Sequence, residues 1–280
     1  MKSNLFGDRY RFLSTLGLIG VVIGGVWYFT KNNKKIFSSR KLNNEEIKNV
    51  LISISNELHP TLMEFSSLVS SIINPTDGES IESLNCAETV FSNAGFKDKI
   101  IKAQKEIFNN LTIHQEDFEK LVYSACKIDK EVLMLKTGID TMYQDSLKGV
   151  YPLLPYHGLK ADFRKKYPKF TQDYVLGRLS ELNNEKEKGF KAIVKEIGDL
   201  SGHVINHPIS GAAIPSEELS KKLEEINKQS ENTVFESIES KRLFSHAIAL
   251  YSREIEFAEK KKKLEKVHSD NILNIIINYK

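Results

Sequence analysis

The chain has 280 residues, with 40 basic and 37 acidic side chains and a formal net charge of +3. Residues 1–41 hold eight of those basic residues and a single acid, Asp8, which leaves a net charge of −4 for residues 42–280. An acidic body excludes nucleic acid as the main partner, and two cysteines, Cys86 and Cys126, are too few for a disulfide framework.

Residues 1–11 form a short leading segment, and the next stretch, Phe12 to Thr30, contains no charged side chain. As a helix it would rise ~28 Å, close to the ~30 Å hydrocarbon thickness of a bilayer. Tyr10 before it, and Trp27 and Tyr28 at its far end, suit the headgroup zone. Lys31, Lys34 and Lys35 stop the apolar run. A cleaved secretory signal would instead end in small residues, and no alanine occurs before Ala87. Residues 12–30 are therefore read as a transmembrane anchor. Gly20 and Gly24 form a G-x-x-x-G pair, which fits either close helix association or a glycine-tolerant span.

Residues 31–42 are a basic linker. The collar on both sides of the anchor suits anionic headgroups. Five basic residues follow the anchor and three precede it, so the positive-inside tendency places the bulk of the chain on the cytosolic side of a single-pass membrane protein.

Residues 43–150 read as a first helical region. Asn43 stands three before Glu46, the spacing of a capping box. Ile47, Val50, Leu51, Ile54 and Leu58 follow at helical steps, and Pro60 should kink or end that helix. Further helices are expected near 80–92 and 97–109, from a cap at Thr112, and near 140–150. The sequon at Asn110 competes with that cap for Thr112.

Residues 151–170 break the pattern with prolines, tyrosines and basic residues and form a connector. Arg164, Lys165 and Lys166 offer contact to an acidic partner or a lipid surface, and are equally the charges of a solvated loop pinned by its aromatic rings. Residues 171–268 read as a C-terminal helical hairpin region with Thr171 and Ser216 as caps. Its stripe includes Leu179, Leu182, Val234, Ile238, Phe244 and Ile255, with Lys186 where an apolar residue is due. The spacing is coiled-coil-like without a sustained heptad. Residues 269–280 are an apolar tail, too short to span a bilayer.

His203 and His207 are i, i+4 apart and are weak candidates for zinc ligands on one helix face. The intervening glutamate of a metalloprotease helix is absent. Nucleotide-binding loops and nucleophile elbows are likewise missing, and no cofactor is implied. The sequence thus points to an all-α protein: one transmembrane helix, then a multi-helix bundle with long C-terminal helices. Its expected role is an interaction protein (scaffold, tether, receptor or accessory subunit) with a protein partner or a second copy. A membrane-bound enzyme or lipid-binding helical domain, its site assembled from distant residues, is the alternative.

Overall fold

The computed structural model describes residues 42–72, 81–111, 113–157, 160–198, 200–206 and 213–278. These residues form an all-α fold with one small two-stranded ribbon. Two compact units divide them, with the boundary between residues 159 and 160. The anchor, the basic linker and the residues assigned there (Tyr10, Gly20, Gly24, Trp27, Tyr28, Lys31, Lys34, Lys35) lie outside the described residues. Among the described residues, no helix is long and apolar enough to cross a membrane.

The first unit contains α1 (Asn44–Ile72), α2 (Ile81–Asn93), α3 (Phe96–Leu111), α4 (Gln115–Ala125) and α5 (Lys130–Leu147). α1 is its axis and packs chiefly on α5 and α3. The capping box at its start is formed: Glu46 N–H donates to Asn43 Oδ1 at 2.9 Å, and Asn43 N–H donates to Glu46 Oε2 at 2.9 Å. Leu58, Leu62, Phe65 and Val69 then run down its buried face. The Phe65 ring meets Phe91 at 5.1 Å and Phe96 at 5.2 Å between centroids, and so joins three helices. Each fully buried side chain of this size contributes roughly 1.5–3 kcal/mol of transfer free energy.

Three expectations for this unit need correction. α1 does not end at Pro60, one of the two outcomes expected there, but runs on through it, with Pro60 exposed on its outer face. There the carbonyl of Asn56, deprived of its helical donor, can turn to water. α4 begins at Gln115 behind an extended His114 that makes no side-chain cap bond, and Thr112 lies outside the described residues. The short helix expected near 140–150 is the second half of α5, which starts behind the Asp129 cap.

The second unit contains α6 (Lys160–Lys166), α7 (Gln172–Ile197), α8 (Glu217–Val234), α9 (Ile238–Tyr251) and α10 (Ile255–Asn278). α7 is central and packs on α8, α10 and α9. Thr171 caps α7 and Ser216 caps α8, as their spacing indicates. At Gly189 in α7 a Cβ would lie 2.7 Å from Ile226 Cγ2, so the missing side chain permits the close approach of α8.

Here too the structure differs from the pattern. Val204–Asn206 and Ala213–Pro215 form an antiparallel ribbon between α7 and α8, too short to show an alternation. The apolar tail is no separate segment, because α10 runs on to Asn278. Ile238 and Ile255 are 70 % and 81 % exposed, so helical spacing alone misassigned them to the core.

Candidate functional site

The connector divides at the unit boundary. Its first half lies on the first unit, where the Tyr156 hydroxyl donates to Asn56 Oδ1 and His59 Nε2 meets the Pro152 carbonyl at 3.0 Å. Its second half belongs to the second unit. Phe163 is fully buried against Tyr167, Phe170 and His246, with centroids 5.1, 6.0 and 4.9 Å away.

That packing decides how the basic residues are presented. Arg164 Nε donates to the Tyr251 hydroxyl at 3.2 Å, and its guanidinium lies 5.3 Å from the Tyr251 ring centroid. Tyr251 in turn donates to the Phe170 carbonyl at 2.7 Å. Arg164 thus holds the segment in place. Lys165 is exposed, and Lys166 is exposed with its ammonium 5.3 Å from the Tyr167 ring centroid.

His203 closes a 3₁₀ turn, Leu200–His203, and its Nδ1 lies 4.0 Å from Glu218 Oε2. The residues between it and His207 are strand, so the helical face that would bring the two imidazoles together is not formed. His207 itself lies outside the described residues. Among the described residues no three His, Cys, Asp or Glu side chains converge as metal ligands. Burial pushes the Cys126 thiol above its usual range, the opposite of what a thiolate nucleophile needs.

Among the described residues, α1 and α3 line a groove of about 520 Å³. α3 buries Phe96, Ile100 and Phe108, which turns Ala103 and Ile107 onto the shoulder beside α1. α1 buries Val50 and Leu51 and turns Asn49, Ser53 and Glu57 outward. The apolar part of the lining comprises Leu42, Val50, Ala103, Ile107 and Leu111. Among the described residues, the groove lining includes the carboxylates of Glu46 and Glu57 on α1 and Glu106 on α3 and no basic side chain.

The charge of the whole region agrees in sign. Residues 42–159 carry 17 acids against 10 bases, a net −7, whereas residues 160–280 carry 19 against 22, a net +3. A hollow on the surface of α8, lined by Lys221, Glu224, Glu225, Lys228, Gln229 and Asn232, mixes both signs and has no apolar floor. Sequence reasoning missed the groove because its carboxylates sit on two helices far apart in the chain, Glu46 and Glu57 on one and Glu106 on the other. The available signal was the outward stripe Asn49, Ser53 and Glu57 on α1. Comparisons with protein families, with characterised proteins and with solved structures found no match to this chain.

Proposed function

We propose that this chain is a single-pass membrane-anchored helical interaction protein, a tether or accessory subunit whose helical body faces the cytosol. The observation that carries this reading is the uncharged stretch Phe12–Thr30, bounded by aromatic residues and by the basic collar at Lys31, Lys34 and Lys35. The collar holds anionic headgroups, and the body presents helix faces to a protein partner. The groove on α1 and α3 supports a binding role, being an apolar concavity with fixed charge at its rim.

The test is membrane extraction of the full chain. The anchor keeps the protein in the pellet through an alkaline carbonate wash and releases it in detergent. Trp27, the only tryptophan, then reports position, and bromine-labelled lipid quenches its emission. Recovery in the carbonate supernatant, or a mature chain starting beyond Lys35, overturns the proposal.

A further inference from the structure

We infer that the turn between α4 and α5 is a second lipid contact: Ile128 at its tip enters the interface of the anchored bilayer, with Lys127 and Lys130 at the headgroup phosphates. This rests on the membrane-anchored reading above and adds how the first unit meets the lipid.

The turn gathers apolar surface that the fold leaves uncovered. Ile128 is 80 % exposed, and Tyr123 in the last turn of α4 is 68 % exposed. Leu133 and Met134, in the first turns of α5, are exposed as well. The neighbours dictate this. Val122 and Ala125 of α4, and Val132 and Leu135 of α5, take the buried positions, so the residues between them face out. The corner is fixed rather than loose, since the N–H groups of Ile128 and Asp129 donate to the Ala125 carbonyl at 3.0 and 2.8 Å. Among the described residues of the first unit, one other large apolar side chain is comparably exposed, Ile72 at the far end of α1.

The place of the turn selects the bilayer as its occupant. Asn44 Nδ2 donates to Asp129 Oδ2 at 3.3 Å, and Lys48 Nζ lies 2.7 Å from Glu131 Oε2, so the turn sits beside the start of α1. That start is the end of the unit tied to the anchor. Residues 31–42 extend at most about 43 Å, at ~3.6 Å per residue. The 29 residues of α1 carry Ile72 about 43 Å further along the helix axis. A tip of a few residues would hold a free protein to a bilayer only weakly. Tethering raises its effective concentration at the surface, and a weak insertion then suffices to set how the unit lies.

The polar groups of the turn fit a headgroup zone. Lys127 Nζ stands 4.3 Å from the Tyr123 ring centroid, and both side chains pair an apolar stem with a polar end. Lys127 and Lys130 are exposed. The carboxylates of Glu45, Asp129 and Glu131 beside the turn have a cation within the protein, Lys48 Nζ at 2.7, 3.4 and 2.7 Å.

The experiment reconstitutes the full chain in phosphatidylcholine vesicles, with and without bromine-labelled acyl chains. In a Trp27→Phe background, Ile128→Trp and, separately, Leu133→Trp place the sole tryptophan at the turn. Both lose most of their emission in brominated vesicles, whereas Ile72→Trp, at an equally exposed isoleucine, loses none. Adding Ile128→Asp to the Leu133→Trp chain abolishes that loss, because a carboxylate is expelled from the interface.

An aqueous, unquenched spectrum at both turn positions overturns the inference. A blue-shifted but unquenched spectrum does so too, since a protein partner or a second copy would then cover the turn. Equal quenching at Ile72→Trp, or quenching that survives Ile128→Asp, also defeats it. Trp27 in the unsubstituted chain reports the anchor separately. Quenching there with none at the turn sinks the tip alone, and no quenching there sinks the anchor and the tip with it.

Discussion

His59 on α1 and Pro152 in the connector stand 93 positions apart in sequence, yet His59 Nε2 lies 3.0 Å from the Pro152 carbonyl oxygen. A carbonyl only accepts, so Nε2 carries the proton and the imidazole is held as one neutral tautomer. Burial pushes its pKa down to about 4, and the bond to Pro152 offsets only part of that shift. In the unfolded chain the same group titrates near its ordinary value of 6.5. Below pH 6.5 the unfolded state takes the proton first, so stability falls between pH 6.5 and about 4 and the His59 contribution is then fully lost. The loss is of order 3 kcal/mol. Urea midpoints at neutral pH and at pH 4.5 measure it. His59→Gln keeps a donor without a titrating ring, and its pH dependence through this window is correspondingly flatter. An unchanged slope in the variant contradicts the assignment.

Gly149 fixes the exit of α5. Its φ is +69°, in the left-handed region, and a Cβ there would lie 2.9 Å from the backbone nitrogen of Ser70. Both faults are backbone faults that no rotamer relieves. Gly149→Ala is expected to destabilise the first unit by about 2 kcal/mol, from the left-handed conformation and the displacement of α1 together. Thermal unfolding followed by circular dichroism checks it. Gly95, with φ +78° and nothing near its Cβ position, is the internal control. Gly95→Ala meets only the conformational cost and melts between the wild type and Gly149→Ala.

Asp129 ties the start of α5 to the start of α1. Its Oδ1 accepts from the backbone N–H of Glu131 at 2.9 Å and of Val132 at 3.2 Å, which caps α5. Its Oδ2 accepts from Asn44 Nδ2 at 3.3 Å, and Lys48 Nζ lies 3.4 Å away. Desolvation would raise the carboxyl pKa, but the Val132 and Glu131 amides with Lys48 outweigh it and hold the pKa below the usual range. Asp129→Ala is expected to lower the melting temperature by a few degrees, and Asp129→Asn by less, because the amide oxygen still caps. The Asp129 contribution is lost as pH falls through its depressed pKa, so the gap between wild type and Asp129→Ala closes in acid. Equal melting of Asn and Ala variants at neutral pH would show that the cap geometry is not what matters.

The caps at Asn43, Thr171 and Ser216 were legible in the sequence because capping is local, a matter of three or four residues. The buried stripe of α1 was legible for the same reason. Pro60 does not end α1 because the freed carbonyl of a helical proline is tolerated where it reaches water, and Pro60 lies on the exposed face. The ribbon strands escaped because three residues are too few to display a period. Ile238 and Ile255 fit the helical stripe, but each opens its helix, where no neighbour covers the first turn. At His203 the spacing presupposed a helix, and the turn and strand that follow remove that premise. The groove is tertiary throughout. Its acidity depends on α3 returning alongside α1, which no single helix records.

Lys186 broke the apolar stripe of α7 in the sequence, and the structure gives it a half-buried place close to Glu231 and Lys241. Glu231 is already bonded by Lys241 at 2.5 Å. Burial pushes the Lys186 pKa below its ordinary value, Glu231 opposes that, and Lys241 adds to it. One carboxylate between two ammonium groups leaves Lys186 a desolvated charge with only a share of a partner. Lys186→Met keeps the aliphatic stem and removes the charge while the Lys241–Glu231 pair stands. The variant is expected to be more stable at neutral pH by about 1 kcal/mol. The wild-type folded state releases this proton before the unfolded chain does, so its stability rises with pH from the lowered pKa towards 10.5. The advantage of Lys186→Met therefore shrinks at alkaline pH. Denaturant midpoints at pH 7 and pH 10 test both signs. A destabilised variant at pH 7 would mean that Lys186, rather than Lys241, is what satisfies Glu231.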